Sequence, residues 1–424
     1  MWSWRRSAAI VAVTATAVVV SAGAMWLREG TPYDLTPGKA AAPALAGDLP
    51  EKLRIAWTRG RLVAGLTDPR RVVIGDGVAV VPDEDHDVVE GVAVATGTTV
   101  WKLAFQKDDR LCAHGGDDMT VVLLYGDHSC DHLIALHVGT GRVRWKKTLP
   151  GEPYSDAEKS VTVANGRFFL RRSSAVEAYR LDTGVRIWHR DRQDLCPDSL
   201  EAAGSFVMLG WGHDCDPITG ATHSNELVAA TNGQPLTGFP TQNAGGHTLL
   251  AADAERAVDL THSSPDDSPG SEHVNILDAT GRKVSTTRIR DVISDAQTRG
   301  MIGNRRPIGI VSPTGMYIAV PTSGQYLYRT VALDRTDGKP RWVKPGVVLT
   351  APSTGEVSLH LYHEREDGDS DWEVRIRAAR TGAQLRVLRP VASDDVTGNT
   401  SQAPRQIGGW LVGYQFGLYY AIGP

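Results

Sequence analysis

"ALHVGTGRVRW", residues 135–145, carries the pattern that decides the fold. Apolar and polar residues alternate up to Thr140-Gly141, and the string closes on Trp145, four residues past the glycine. Alternation at period two is the mark of a half-buried strand. Glycine supplies the positive φ of a tight turn, and a preceding Thr or Asp can bond to the local backbone. The stretch therefore predicts a β-hairpin with a tryptophan just beyond its turn.

The same string returns along the chain as "GVAVATGTTVW" ending at Trp101, "AYRLDTGVRIW" at Trp188, "ELVAATNGQPL", "VNILDATGRKV", "VALDRTDGKPRW" at Trp342 and "RIRAARTGAQL". The turn glycines are Gly97, Gly141, Gly184, Gly233, Gly281, Gly338 and Gly382, spaced 44, 43, 49, 48, 57 and 44 residues apart. A period of this size marks a repeat architecture. Further short β-rich runs precede each hairpin, such as "TVVLLYG" and "GRFFLRR". Four short strands per unit make a propeller blade. Strong helical periodicity is absent after the N-terminal apolar segment, which argues against a helical solenoid.

The two ends of the repeat region complete each other. After Gly382 the chain passes "GGWLVGYQ" and stops at "GLYYAIGP", one strand short of a blade, whereas "LRIAWTRG" around Trp57 stands alone before the first unit. The spacings 57 to 101 and 101 to 145 are both 44. Seven complete units and one composite unit give eight blades, the N-terminal strand closing the ring so that no sheet edge is left open. The expected fold is thus an all-β, eight-bladed propeller of four-stranded blades over residues 53–424.

These residues carry a family resemblance. "YRLDTGVRIW" and "LHVGTGRVRW" resemble the tryptophan-docking repeat of the quinoprotein, or PQQ-like, β-propeller superfamily, over nearly all of the chain after residue 52. The resemblance implies that Trp57, Trp101, Trp145, Trp188 and Trp342 each pack on the turn of a neighbouring blade. One branch of the superfamily comprises dehydrogenases that hold pyrroloquinoline quinone and Ca²⁺ on the ring axis. The other is non-catalytic, as in the assembly lipoprotein BamB and the extracellular domains of actinobacterial membrane proteins. The vicinal cysteine pair typical of soluble catalytic members is missing, and no long insertion is present to cover a cofactor. No G-x-S-x-G, H-E-x-x-H, P-loop or C-x-x-C motif occurs either, and the 13 histidines are scattered. The expectation is a chain that is not an enzyme and takes no cofactor, with a reduced PQQ-dependent oxidoreductase or a ligand-sensing subunit as alternatives.

Ahead of the repeats, Arg5 and Arg6 precede an uncharged and mostly apolar run from Ser7 to Leu27, with Trp26 and Arg28 at its far end. That length spans a bilayer, and the preceding arginines keep the N-terminus in the cytoplasm. Residues 1–27 read as a signal-anchor, placing the propeller outside the cytoplasm of a bacterial cell, tethered to its membrane. Ala22-Gly23-Ala24 also fits a cleavage site, so secretion after cleavage near Ala24 is the alternative. Residues 28–52, rich in Pro, Ala and Gly, read as a linker. The formal net charge of −4 over 424 residues shows no basic stripe for nucleic acid.

The four cysteines fall into two pairs of like context, 18 and 19 residues apart. Each pair runs from the expected first strand of a blade to the loop before its third strand, so antiparallel pairing brings both points to one edge. The repeat therefore selects Cys112–Cys130 and Cys196–Cys215 among three connectivities, and an exported chain can form them. A metal site is the rival reading, but the pairs fall in blades 2 and 4, too far apart to share an ion.

Loops between second and third strands should open on the face opposite the Thr-Gly hairpins. They are acidic: "PDEDHD" (82–87), "GDHSCDH" (126–132), "HDCDPITGATH" (213–223), "SSPDDSPGSEH" (263–273) and "EREDGDSDWE" (364–373). Within the last, Asp367, Asp369, Asp371 and Glu373 form a candidate Ca²⁺ set, since hard cations take several carboxylate oxygens. An ordinary solvated acidic loop is the competing reading. Loops on a rigid scaffold commonly carry binding, so the expected function is engagement of a protein or envelope component through this face.

Overall fold

The computed structural model describes residues 33–37, 52–59 and 72–423, apart from 84, 107, 128–129, 151–160, 193–194, 213–223, 240–245, 262–271, 295–306, 323–327, 351–354, 365–369, 391–404, 408–409 and 416–417. Two strands, β1 (Tyr33–Thr36) and β2 (Lys52–Arg59), precede the first blade. Blade 1 contains β3 (Ile74–Gly75), β4 (Val78–Pro82), β5 (Val88–Ala93) and β6 (Thr99–Phe105). Blade 2 contains β7 (Arg110–Gly116), β8 (Thr120–Gly126), β9 (His132–His137) and β10 (Val143–Thr148). Blade 3 contains β11 (Val161–Ala164), β12 (Arg167–Arg171), β13 (Ala175–Arg180) and β14 (Arg186–Asp191). Blade 4 contains β15 (Cys196–Ala203), β16 (Phe206–Gly212) and β17 (Ser224–Ala229).

Blade 5 is built from β18 (His247–Ala252), β19 (Arg256–Thr261), β20 (His273–Asp278) and β21 (Lys283–Arg288), followed by one helical turn, α1 (Ile289–Val292). Blade 6 is β22 (Ile308–Ser312), β23 (Gly315–Pro321), β24 (Tyr328–Leu333) and β25 (Pro340–Pro345). Blade 7 is β26 (Val347–Thr350), β27 (Glu356–Glu364), β28 (Ser370–Ala378) and β29 (Gln384–Pro390). Blade 8 joins β30 (Arg405–Ile407), β31 (Trp410–Gln415) and β32 (Leu418–Gly423) to β2, which pairs antiparallel with β32 from Arg54↔Gly423 to Arg59↔Tyr419. The molecule is an all-β, eight-bladed propeller closed by β2.

Local sequence explains the strand order within a blade. Asp76-Gly77 and Asn165-Gly166 join first to second strands with both residues at positive φ, as two-residue hairpin turns of type I′ require. All seven turn glycines that follow the third strands, six after Thr or Asp and Gly233 after Asn232, have φ between +66° and +81°. Second strands such as β8, β16 and β23 are buried at every residue because each blade is covered on both faces by its neighbours. The outermost strands are half-exposed, as in β10. Apolar clusters therefore lie between blades: Val78, Val80 and Val89 of blade 1 share one with Leu123, Ile134 and Leu136 of blade 2. Each such side chain, fully buried, contributes about 1.5–3 kcal/mol.

Three local features differ from the sequence reading. Blade 1 has a fifth strand, because Tyr33–Thr36, inside the expected linker 28–52, pairs antiparallel with β6. Tyr33 drives this docking: its ring is buried, edge-on to Tyr125 at 6.2 Å, and Phe105 stacks on the same Tyr125 at 4.8 Å. Blade 4 has three strands among the described residues, followed by a single bridge, Val228↔Pro235. Ala229 N–H donates to Gln234 O and Leu236 N–H to Leu227 O, after which the chain turns away, Phe239 N–H donating to Leu236 O at 3.0 Å, so the outer strand stops after one bridge. The expected membrane helix, residues 1–27, lies outside the described residues; among those described, no helix is long and apolar enough to cross a membrane.

Candidate functional site

Five tryptophans fasten blade to blade. The indole Nε1 of Trp57 donates to the Val94 carbonyl at 2.8 Å, Trp101 to Val138 at 2.6 Å, Trp145 to Leu181 at 2.9 Å, Trp188 to Ala230 at 3.1 Å and Trp342 to Ala379 at 3.0 Å. Each acceptor precedes the turn glycine of the next blade. The indole then lies on that glycine: a Cβ on Gly184 would stand 2.8 Å from the Trp145 ring, so only glycine admits both the φ of +67° and the docked ring. At the turn of blade 5 Leu236 and Phe239 approach Gly281 instead, and at the turn of blade 6 Ser285 approaches Gly338. Phe239, buried, supplies the aromatic mass where the repeat has no tryptophan.

A second fastening escaped the sequence reading. Two residues past Trp188, Arg190 pairs with buried Glu226, its Nε 2.8 Å from Oε2, and its NH1 donates to the Gly233 carbonyl at 3.2 Å. Two residues past Trp57, Arg59 donates to the Gly97 carbonyl at 2.8 Å and lies 3.5 Å from Glu90. Glu90 and Glu226 both stand seven residues before their turn glycine, and so does Glu177. Facing the Glu177 position from blade 2, Lys147 sits over the Tyr179 ring at 4.7 Å. Between blades 1 and 2 the corresponding positions are Leu103 and Ile134, members of one apolar cluster. The readable signal was W-x-R in one repeat and E-x₆-G in the next.

Glu177 anchors the densest of these groups. Its carboxylate accepts from the Tyr179 hydroxyl at 2.6 Å and from Arg186 at 2.8 Å, with Arg172 at 3.5 Å. Burial alone would push it up, but the Tyr179 hydrogen bond and the two arginines outweigh burial and hold it below the usual carboxylate range.

The loops joining second to third strands lie at the other end of the blades. In blade 2, Cys112 on β7 is disulfide-bonded to Cys130 in the loop after β8, with Cα atoms 6.1 Å apart. Cys196, on the first strand of blade 4, is also disulfide-bonded; Cys215, expected as its partner, lies outside the described residues. At this end of the blades Asp83, Asp85 and Asp87 lie on the blade 1 loop, Asp108 and Asp109 on the connection to blade 2, and Asp127 and Asp131 on the blade 2 loop. Backbone bonds tie the blade 1 loop in place, Phe105 N–H donating to Asp87 O and Leu111 N–H to His86 O. Burial, and then a hydrogen bond with Asp87, push the Asp83 carboxyl up to about 6. Burial also raises Asp109, against a lowering by His132.

Of the Ca²⁺ candidates, Asp367 and Asp369 lie outside the described residues. Asp371 and Glu373 belong to strand β28, and Glu373 is buried and paired with Arg375, so its carboxylate is already neutralised within the sheet. The loops 213–223 and 365–369 and most of 263–273 lie outside the described residues as well; Glu272 is buried and His273 begins β20.

Blade 5 holds one polar network of a different kind. Buried Asp259 accepts through Oδ2 from Asn275 Nδ2 at 3.0 Å and Thr261 Oγ1 at 3.3 Å, and lies 2.9 Å from His247 Nδ1. Among the described residues, no group of three or more His, Cys, Asp or Glu side chains is placed to hold a metal ion. The four cysteines include no vicinal pair, and none of the three described, Cys112, Cys130 and Cys196, is free.

Residues 85–256 match a family model described as outer membrane protein assembly factor BamB. No curated protein matches the sequence. Among solved structures, the computationally designed Ika8 protein aligns with a TM-score of 0.52 at 12% identity, covering 86% of this chain and 99% of that one. BamB from Moraxella catarrhalis aligns at 0.45 and 14% identity, covering 88% and 100%. A quinohemoprotein alcohol dehydrogenase, ADHIIG from Pseudomonas putida HK5, aligns at 0.49 and 14% identity, covering 88% and 75%.

Proposed function

We propose, from the premise that this chain carries the repeat of the PQQ-like β-propeller superfamily, that it is a non-catalytic binding scaffold held at the outer surface of a bacterial cell membrane. Its partner is a protein or envelope component, engaged through the aspartate-bearing loops of blades 1 and 2. One observation carries this reading. The Cys112–Cys130 disulfide and the backbone bonds at Asp87 and His86 hold seven aspartates on a rigid ring at one end of the blades. A disulfide in a chain with an N-terminal apolar run after two arginines supports an oxidising, extracytoplasmic setting.

The test has two arms. Titration of the purified protein with pyrroloquinoline quinone and Ca²⁺, read by tryptophan fluorescence, should give no saturable binding. One-to-one saturation would instead support the oxidoreductase alternative. In cells, a photo-crosslinker at Asp85 should give a discrete adduct that is lost when Asp83 and Asp87 are changed to Asn, whereas a crosslinker at Asp182, on the opposite end of blade 3, should give none.

A further inference from the structure

We infer that β1 is a strap that turns the aspartate-bearing face toward the bilayer; the inference rests on the membrane-anchor reading. Strand β1 runs antiparallel to β6 in the register Tyr33↔Phe105, Asp34↔Ala104, Leu35↔Leu103, Thr36↔Lys102. Its first residue therefore lies at the Phe105 end, where Phe105 N–H bonds to Asp87 O and the connection through Asp108 and Asp109 begins. Its last residue lies nearer the Thr-Gly turn. The chain enters the propeller at the aspartate end.

The apolar run closes at Leu27, so six residue steps separate it from Tyr33. At the greatest reach of an extended chain, about 3.3–3.6 Å per residue, those steps cover about 20 Å. The expected linker of 25 residues would have allowed several times that distance. Docking of Tyr33 removes most of this freedom, because Tyr33–Thr36 is already fixed to blade 1. The Thr-Gly end of the same blade lies a further seven-residue strand away, about 23 Å. Tyr33 holds the strap by burial, and the same burial raises its hydroxyl above the usual tyrosine range. Leu35 packs on the apolar cluster of blades 1 and 2. The strap is therefore held by side chains as well as by its ladder, whereas the four-stranded part of blade 1 is complete without it.

The consequence is a surface apposed to lipid that carries carboxylates. Anionic headgroups repel it, so the short tether rather than lipid adhesion sets its distance. What the face binds is then reached from the membrane plane and not from above.

Energy transfer on the full-length protein in lipid vesicles tests this. A donor dye is placed on Asp85→Cys or, at the far end of the same blade, on Thr98→Cys, with an acceptor-labelled lipid in the outer leaflet. Donor quenching should be at least about twofold greater at 85 than at 98, given the strand length between them. The double change Tyr33→Asp/Leu35→Asp should release the strap and bring the ratio near one, while Tyr33→Phe keeps it. Unchanged strand signal by circular dichroism in the double variant shows that the ring persists. If the protein floats with the vesicles but quenching is equal at both sites, or the double change leaves a high ratio unaltered, the strap is overturned and the anchor stands. If the protein fails to float with the vesicles, the anchor reading itself is overturned, and the strap's orientation with it.

Discussion

Replacing Arg190 and Glu226 together should cost far less than replacing Arg190 alone. The Glu226 side chain is 4% exposed and the Arg190 side chain 24%. Arg190→Leu leaves a nearly dry carboxylate with Arg192, 3.9 Å away, as its remaining cation. Loss of one partner of a buried pair costs about 3–5 kcal/mol, and the lower end applies because Arg192 remains. Glu226→Ile strands a guanidinium that still reaches solvent and the Gly233 carbonyl, for a cost of about 1–2 kcal/mol. The double variant rebuilds the Leu103/Ile134 pair that already seals blade 1 to blade 2, and it should fall within about 1 kcal/mol of the parent. The coupling between the two sites is then about 3 kcal/mol. Urea unfolding of the four proteins, followed by tryptophan fluorescence, gives the cycle. Additive single effects would refute the view that charged and apolar pairs are interchangeable seals at this position.

Three further outcomes follow from the same structure. Gly184→Ala and Gly166→Ala share a φ of +67°, but only the first meets a neighbour, since nothing lies within 4 Å of a Cβ at 166. The backbone penalty of about 1–2 kcal/mol should appear in both, and displacement of the Trp145 ring should add about 1–3 kcal/mol to Gly184→Ala in thermal denaturation. Loss of the Cys112–Cys130 bridge by Cys→Ala at both positions should remove about 3 kcal/mol, as expected for a closed loop of this size. The Asp83 carboxyl, pushed by burial above the usual carboxylate range to about 6, binds its proton more tightly in the folded state, so its stabilising contribution is present at low pH and is lost as pH rises from about 4 to about 6. Asp83→Asn should therefore raise the Tm relative to the parent above pH 6 and leave the difference smallest near pH 4; a constant difference across that range would count against the assignment.

The propeller was legible because its docking device is written in two residues, an indole and a glycine of positive φ, at a fixed offset and a near-constant period. The composite eighth blade followed from the equal spacings of Trp57, Trp101 and Trp145. What stayed hidden depends on contacts made across the period. Arg190 and Glu226 are 36 residues apart and look like surface charges until the blades are stacked. Phe239 takes over the aromatic place at an offset from Gly233 that differs from the repeat, so pattern matching passes it by. Tyr33–Thr36 sits among Pro, Ala and Gly, and its strand is held because Phe105 of blade 1 and Tyr125 of blade 2, some 70 to 90 residues further on, offer an aromatic nest. Glu373 read as part of an acidic loop because the sequence around it is polar, whereas strand β28 extends into that stretch and buries it.

The seam in blade 8 has a consequence in time. Arg54 pairs with Gly423, and Trp57 docks on the turn at Gly97, so the strand that closes the ring is made early and its main partner last. Until that partner emerges, the arc of blades has two raw flanks, and the apolar residues of blade 8 that later cover them, Leu411, Val412 and Ile422 among them, are not yet in place. Contacts of such sequence separation slow folding and lengthen exposure to aggregation. A chain of this design, if threaded through a membrane, reaches its protected state only when the final strand is across, so the speed of export and the survival of the fold are joined in one step.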